Sequence, residues 1–267
     1  MEIISNMHTH SLYSDGKSTL RENIESALAM GFTTLGCSDH SYTPFDLSYC
    51  MKKESLAAYR AEVDALNAEY AGRIHILRGI EHDVDSDPST LCDYEYFIAS
   101  THYVEAGGVF YPVDESREAT LRCIAEGFGG DRYAFYTAYY ENVMRCALLR
   151  PDILGHFDLL TKHDVPDETD KKYRGIALSV LDAVLALEVP LEINTGAMAR
   201  GLKTQPYPSA FLLRRIAEKK GMVTLGSDSH HKDNLAFGFP AALEALHAAG
   251  VRQVLVRENA QWNPVAI

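Results

Sequence analysis

The sequence predicts an α/β fold: a single barrel of seven βα units, with a metal site at the carboxyl ends of its strands. Three observations predict this fold. Short apolar runs alternate with amphipathic runs along the 267 residues, without a repeat or a long linker. Strand–helix units in this rhythm favour a parallel sheet that closes on itself. Side chains that can bind metals follow most of the strand-like runs, and active sites lie at that end of such barrels.

The predicted strands are short runs rich in β-branched and apolar residues. They are residues 3–7, 33–37, 74–80, 96–100, 152–155, 189–193 and 222–226. A weaker eighth run covers residues 253–256. We expect the seven strong runs to line the barrel in chain order.

The predicted helices lie between the strands at residues 18–30, 53–70, 132–149, 173–187, 209–220 and 241–249. Ser18 is the predicted N-cap of the first helix. Glycines stand where helices should end, at Gly31, Gly72 and Gly221. The widest interval between strands holds an elaborated connection at about residues 103–150, with a glycine-rich loop, a short helix at 116–126 and a tyrosine-rich helix. This connection is either a substrate loop or a packed surface insertion, and residues 1–267 are expected to form one domain.

Charge and composition exclude several classes of function. The chain carries 25 Lys and Arg against 37 Asp and Glu, a net charge of −12. That charge repels nucleic-acid backbones and anionic membrane surfaces, so neither partner is expected. No apolar run is long enough to span a bilayer, and the five scattered cysteines form no pairing pattern. We therefore expect a cytoplasmic protein.

Histidines and carboxylates cluster directly after the predicted strands. The motif after the first strand is His8-Thr9-His10, and the motif after the seventh is Asp228-Ser229-His230. Residues i and i+2 of an extended chain point to the same face, so both members of each motif can reach one metal. The same rule places His82 on the face opposite Glu81 and excludes it as a ligand.

The candidate ligands comprise six histidines, two aspartates and one glutamate, with no thiolate. This nitrogen and oxygen set suits Zn, Mn or Fe. Nine ligands are too many for one ion, so we expect two to three divalent metal ions, with Glu81 as the bridging carboxylate. Such clusters activate water and stabilise in-line displacement at phosphorus.

These motifs resemble the PHP (polymerase and histidinol phosphatase) family over essentially the whole chain. The matching segments are HTHSLYSDG, SDH, GIE, STH, GHFD and GSDSH. The resemblance implies a distorted (βα)7 TIM-like barrel with a trinuclear site. The implied metal ligands are His8, His10, Asp15, His40, Glu81, His102, His156, Asp228 and His230.

The segments STHYVE, GHFDLLTKH and EINTGAMARG resemble the histidinol-phosphate phosphatase branch of this family. The resemblance implies a metal-dependent phosphomonoester hydrolase of histidine biosynthesis, with a metal-activated hydroxide that attacks phosphorus in line. The alternatives are a phosphodiesterase or nuclease, or a phosphotyrosine phosphatase, on the same metal site. A non-catalytic metal-binding domain would be expected to lack a ligand.

Candidate catalytic and substrate-binding residues follow from these implied activities. The catalytic candidates are Asp15, Glu81, Arg200 and His230. The candidates for binding the substrate phosphate are Lys162, Arg200 and His231. The guanidinium of Arg200 suits a bidentate grip on phosphate oxygens. Asp39, Asp83 and Asp158 lie beside ligands, where each could either orient an imidazole or make an ordinary hydrogen bond at a strand end.

Overall fold

The computed structural model describes residues 3–258 and 261–267, which adopt an α/β architecture. The strands, in chain order, are β1 (Ser5–Asn6), β2 (Thr34–Cys37), β3 (His75–Asp83), β4 (Tyr96–Ser100), β5 (Tyr103–Ala106), β6 (Val109–Pro112), β7 (Ile153–Leu154), β8 (Leu191–Asn194), β9 (Val223–Gly226), β10 (Gln253–Glu258) and β11 (Gln261–Ala266). The helices are α1 (Leu20–Ala29), α2 (Leu56–Glu69), α3 (Arg117–Arg122), α4 (Arg132–Leu148), α5 (Lys171–Leu185), α6 (Gly196–Ala199), α7 (Ala210–Lys219) and α8 (Phe239–Ala249). Among these described helices, none is long and apolar enough to cross a membrane.

One curled sheet of nine strands organises the chain. Its order is β1-β2-β3-β4-β7-β8-β9-β10-β11, parallel from β1 to β10 and antiparallel at the β10–β11 pair. Beyond β1 and β9, Thr9 and Ser229 form a parallel bridge, and the N–H of His10 donates to the carbonyl of Ser229 at 2.8 Å. The curled sheet therefore brings the segment after β1 against the segment after β9 at the carboxyl ends of the strands.

The predicted strands all appear in this sheet, with different lengths. The first and fifth shorten to the two-residue strands β1 and β7, and the weaker eighth run is β10. β11 was not predicted. The count of seven βα units is not confirmed, because β3 and β4 are joined by a 3-10 turn at Pro88–Asp93 instead of an α-helix and because two further strands extend the sheet.

The predicted N-cap of the first helix is wrong by one residue. The hydroxyl of Thr19 accepts the N–H of Glu22 at 3.2 Å, and the Glu22 carboxylate accepts the N–H of Thr19 at 2.9 Å. This reciprocal pair is a capping box. The hydroxyl of Ser18 instead accepts the N–H of Lys232 at 3.0 Å, which ties the start of α1 to the segment after β9.

The elaborated connection at residues 103–150 contains the β5–β6 hairpin, α3 and α4. Helix α4 packs inward through three buried tyrosines, Tyr136, Tyr139 and Tyr140. The hydroxyl of Tyr139 accepts the N–H of Leu159 at 3.0 Å, so the helix supports the segment after β7. The Asn142 amide donates to the carbonyl of Tyr103 at 3.1 Å and fixes the base of the hairpin.

The inner face of the sheet holds a small apolar cluster of Met7, Leu77, Tyr96, Ile98 and Ile153. Tyr96 on β4 lies across β3 and β2 and donates its hydroxyl to the carbonyl of Met7 at 2.7 Å. Glycines at positions 36 and 79 leave the space that the phenol ring occupies. A larger apolar core lies between the sheet and the helices. The glycines thus let one tyrosine connect four neighbouring strands beneath the site.

Replacing Gly79 by Ala should destabilise the fold. The added Cβ would overlap the ring of Tyr96, and overpacking of this kind costs about 1–3 kcal/mol. Urea denaturation measures the free energy of unfolding. The control is Gly175→Ala in α5, where no described atom lies within 4 Å of the added Cβ; helix propensity should make it about 0.5–1 kcal/mol more stable. A G79A variant as stable as the unmodified chain would contradict the role of the glycine.

Candidate metal centre

Glu81 lies at the centre of the histidine cluster. Its side chain points inward near the carboxyl end of β3 and is fully buried. The two carboxylate oxygens lie 2.8–3.5 Å from ring nitrogens of five histidines: His8, His10, His40, His102 and His156. These histidines follow β1, β2, β4 and β7, so the curl of the sheet brings them to one point.

A second group of ligands adjoins the first. Nε2 of His230 lies 3.2 Å from Oδ2 of Asp15, and Nε2 of His40 lies 3.6 Å from its Oδ1. The His10 ring stands between the rings of His40 and His230, with centroids 4.3 Å from each. Oδ1 of Asp228 lies 3.1 Å from Nε2 of His10. All nine predicted ligands therefore lie in one connected cluster.

The donor atoms fit divalent metal ions. Three overlapping sets hold their ligand atoms within 4.8 Å of one another: His10–Asp15–His40–His230, His8–His10–Glu81 and His40–Glu81–His102. Oε2 of Glu81, Nε2 of His8 and Oδ1 of Asp15 are buried without a hydrogen-bond partner among the described residues. Buried polar atoms are normally satisfied. A cation that accepts their lone pairs would satisfy these three.

A second layer of carboxylates orients the imidazoles. Glu192 on β8 accepts from Nδ1 of His8 at 2.6 Å and from the backbone N–H of His156 at 3.0 Å. Oδ2 of Asp83 lies 3.0 Å from Nδ1 of His102. Such partners fix the tautomer and direction of a metal-binding histidine. The supporting carboxylates thus come from β3 and β8, while the histidines that they orient follow β1, β4 and β7.

Of the three aspartates for which the sequence left two roles open, Asp83 contacts an imidazole, and the other two make ordinary hydrogen bonds. Asp39 accepts from the hydroxyls of Ser11 and Ser14, and Asp158 accepts from the hydroxyl of Ser209, so both fix loops. Glu192 was missed. The signal was an acidic residue inside the apolar run VPLEIN, where a buried charge needs a polar partner.

The electrostatics of the cluster keep its carboxylates ionised. Burial alone would raise the pKa of Glu81, but His8, His40 and His102 hold that pKa well below its usual range. Burial lowers the pKa of His10 to about 3, and neighbouring His230 and His40 act in the same direction. A neutral imidazole and an ionised carboxylate are the forms that bind metals.

A cavity of about 400 Å³ opens above the cluster and is lined by six of the nine ligands: Asp15, His40, His102, His156, Asp228 and His230. Lys162 and Arg200 also line it. Nζ of Lys162 lies 2.7 Å from Oδ2 of Asp114, and a guanidinium nitrogen of Arg200 donates to Oδ2 of Asp228 at 3.0 Å. The cavity therefore combines a floor of candidate metal ligands with two cationic side chains.

The structure places His231 elsewhere. It is not part of the described lining of this cavity. Its Nδ1 accepts the N–H of Asp233 at 3.3 Å and begins a 3-10 turn. In an extended backbone, the side chain of His231 points to the face opposite its neighbour His230. His231 therefore caps this turn and lies outside the phosphate contacts that the sequence predicts.

The curled α/β sheet and its cluster of imidazoles and carboxylates define a metal-site protein with ligands at the carboxyl ends of parallel strands. Residues 6–196 match the PHP domain family. The chain belongs to this family.

Relatives with informative names match nearly the whole chain. A Deinococcus radiodurans protein named "Probable histidinol-phosphatase" is 32% identical over 270 residues, covering 96% of both chains. The histidinol-phosphatase of Bacillus subtilis is 25% identical, covering 89% of this chain and 97% of the relative. A crystal structure of histidinol phosphate phosphatase (HISK) from Lactococcus lactis, complexed with zinc, L-histidinol and phosphate, has a TM-score of 0.68 at 21% identity. The match covers 98% of this chain and 99% of that one. The last comparison shows the shared fold.

Replacing Glu192 by Gln should weaken divalent metal binding about 10- to 100-fold, because the His8 ring loses its carboxylate acceptor. Zinc retained during dialysis against graded chelator concentrations measures the affinity. Glu218→Gln is the matched control, since Glu218 is an exposed carboxylate that pairs with Arg215 on α7. Equal zinc retention by the E192Q and E218Q variants would contradict the orienting role.

Proposed function

We propose that this chain is a metal-dependent phosphomonoester hydrolase that acts on L-histidinol phosphate in the cytoplasm. The observation that carries the proposal is the cavity in which metal ligands, Lys162 and Arg200 face one space. A phosphate monoester is a compact dianion, and this lining offers it cationic partners on several sides. The names of the relatives support the choice of alcohol, and the five free cysteines support a reducing compartment. We further propose that residues 1–267 act as one domain.

The nine clustered side chains would hold two or three divalent ions of Zn, Mn or Fe. Glu81 is suited to bridge them because each of its oxygens faces a different group of histidines. When bound, such ions acidify water and neutralise charge on phosphoryl oxygens. Glu192 and Asp83 would keep the imidazoles aimed at the ions during turnover.

The other residues around the cavity would bind the phosphate and assist departure of the alcohol. Arg200 presents a guanidinium to the equatorial phosphoryl oxygens, whose charge grows in the transition state. Lys162 adds a point charge from the segment after β7. Asp15 borders the cavity with its carboxylate one-third exposed, and it contacts His230. Because Asp15 is ionised in this cluster, we propose that it orients the water that protonates the leaving alkoxide.

Phosphate release by the metal-replete protein tests this function. The panel is L-histidinol phosphate, p-nitrophenyl phosphate, a phosphotyrosyl peptide and bis-p-nitrophenyl phosphate. We expect kcat/KM for L-histidinol phosphate to exceed the others by orders of magnitude, and an H8A/H10A double variant to be inactive. Faster turnover of the diester or the peptide would replace the substrate proposal with a phosphodiesterase or a phosphotyrosine phosphatase.

Replacing Arg200 by Ala should lower kcat for L-histidinol phosphate about 10²- to 10³-fold, the usual effect of losing one donor to transition-state charge. Replacing Lys162 by Ala should have a smaller effect, because its charge is already shared with Asp114. Steady-state kinetics of both variants measure this. Since Arg200 also contacts Asp228, metal content is determined in parallel. Unchanged kcat in an R200A variant with full metal content would exclude the role.

A further inference from the structure

One wall of the cavity carries a carboxylate without a cationic partner. Asp46 lines the cavity, and in the described chain no lysine, arginine or histidine forms an ion pair with it. Its Oδ1 accepts the N–H of Ser48 at 2.8 Å, and its Oδ2 accepts the hydroxyl of Tyr103. These contacts hold the pKa of Asp46 below its usual value against the opposing effect of burial. The carboxylate is therefore ionised at neutral pH and has no cation to neutralise it.

Asp46 lies on a different side of the site from the phosphate-binding cations. It belongs to the segment after β2, whereas Lys162 and Arg200 follow β7 and β8. In the sheet, β3 and β4 separate β2 from β7. The other cavity aspartate outside the metal cluster, Asp114, is already paired with Lys162. Of the cavity acids outside the metal cluster, Asp46 and the exposed Glu115 therefore lack a cationic partner among the described residues, and Asp46 is the less exposed of the two.

Aromatic rings connect Asp46 to the metal floor. The Tyr49 ring packs edge-on against His40, with centroids 4.9 Å apart, and lies 5.9 Å from the ring of Tyr103. Tyr103 in turn donates its hydroxyl to Asp46. Aromatic faces attract cations, and a neighbouring carboxylate strengthens the attraction. The wall therefore runs from a metal ligand through two phenol rings to a negative charge.

The packing fixes this wall in place. Phe45 stacks on Phe110 of β6 with ring centroids 3.9 Å apart, and it also contacts Tyr103 of β5 edge-on at 4.9 Å. The segment after β2 is thereby joined to the β5–β6 hairpin. Asp46 is the next residue after Phe45, so the ring contacts of Phe45 hold Asp46 in place on the cavity wall.

We propose that Asp46, with Tyr49 and Tyr103, is the specificity site that binds a cationic nitrogen of the substrate alcohol while Arg200 and Lys162 bind its phosphate. This inference rests on the proposed function and adds to it the residues that select the alcohol. The ligand class is a phosphomonoester whose alcohol carries an ammonium or imidazolium group. Neutral and anionic alcohol phosphates gain nothing from this wall.

The test compares Asp46→Asn with Glu115→Gln, a matched loss of charge at an exposed carboxylate of the same lining. The substrates are L-histidinol phosphate, its N-acetyl derivative, phenylalaninol phosphate and phenyl phosphate. We expect D46N to lower the ratio of kcat/KM for L-histidinol phosphate over phenyl phosphate about 10- to 100-fold, as expected when a hydrogen bond to a charged group is lost. E115Q should lower the ratio less, and Asp46→Glu should partly restore it.

The derivatives identify the bound nitrogen. A D46N penalty on phenylalaninol phosphate but not on the N-acetyl compound indicates the ammonium, and the reverse indicates the imidazolium; either result supports the proposal. An equal loss on all four substrates would show a merely structural role and overturn it. Inactivity of the unmodified chain on every monoester would instead refute the proposed function.

Calorimetric binding of L-histidinol, with no phosphate present, tests Asp46 without any turnover. We expect D46N to bind it about tenfold or more weakly than the unmodified chain. Equal binding by the two proteins overturns the proposal, whatever the hydrolysis assays show. Thermal melting of each variant confirms that the comparison is between folded proteins.

Discussion

The buried carboxylate of Glu81 is the constraint on which the site depends. An ionised carboxylate out of contact with water is costly unless positive charge or hydrogen bonds compensate for it. The groups around the Glu81 carboxylate are imidazole nitrogens, which lie 2.8–3.5 Å from its oxygens. Few of these contacts have hydrogen-bond geometry, and in the described structure Oε2 of Glu81 has no hydrogen-bond partner. The neighbouring His8, His40 and His102 compensate for that charge electrostatically and hold the pKa of Glu81 below its usual range. Divalent cations at the same nitrogens would take over this compensation and also satisfy Oε2, and that would couple stability to metal binding.

The rest of the architecture serves this arrangement. Parallel strands bring their carboxyl ends together, so each following residue reaches the same centre. The curl that brings together the segments after β1 and β9 at the Thr9–Ser229 bridge adds their ligands to those after β2, β4 and β7 and to Glu81 within β3. Beneath the ligands, the phenol of Tyr96 replaces the side chains that Gly36 and Gly79 lack. Glu192 reaches His8 from β8. This contact is possible because β8 neighbours β9, and the segment after β9 bridges to the segment after β1.

The sequence predicts local features well, and it predicts poorly the features that depend on contacts between distant parts of the curled sheet. Apolar runs and the histidine motifs beside them were visible in the chain, and the structure gathers all nine predicted ligands. β11 was not visible because its six residues, QWNPVA, include a proline and give no continuous apolar run; the strand forms by pairing with β10. Glu192 acquires its role only when β8 faces β1 across the curled sheet. Asp46 is positioned through its neighbour Phe45, which stacks on Phe110, 65 positions further along the chain in a hairpin that periodicity did not predict.

Metal binding and phosphate binding share one side chain. Oδ1 of Asp228 faces His10, and its Oδ2 accepts from Arg200. A Cβ at Gly196 would crowd both groups, at 2.7 Å from Oδ2 and 3.0 Å from the guanidinium, so the glycine at the start of α6 permits this contact. The guanidinium is consequently aimed at the metal centre, and any phosphate it holds is presented to the ions. This coupling serves every phosphate monoester alike. Discrimination between alcohols must therefore come from a part of the cavity that does not touch the phosphate.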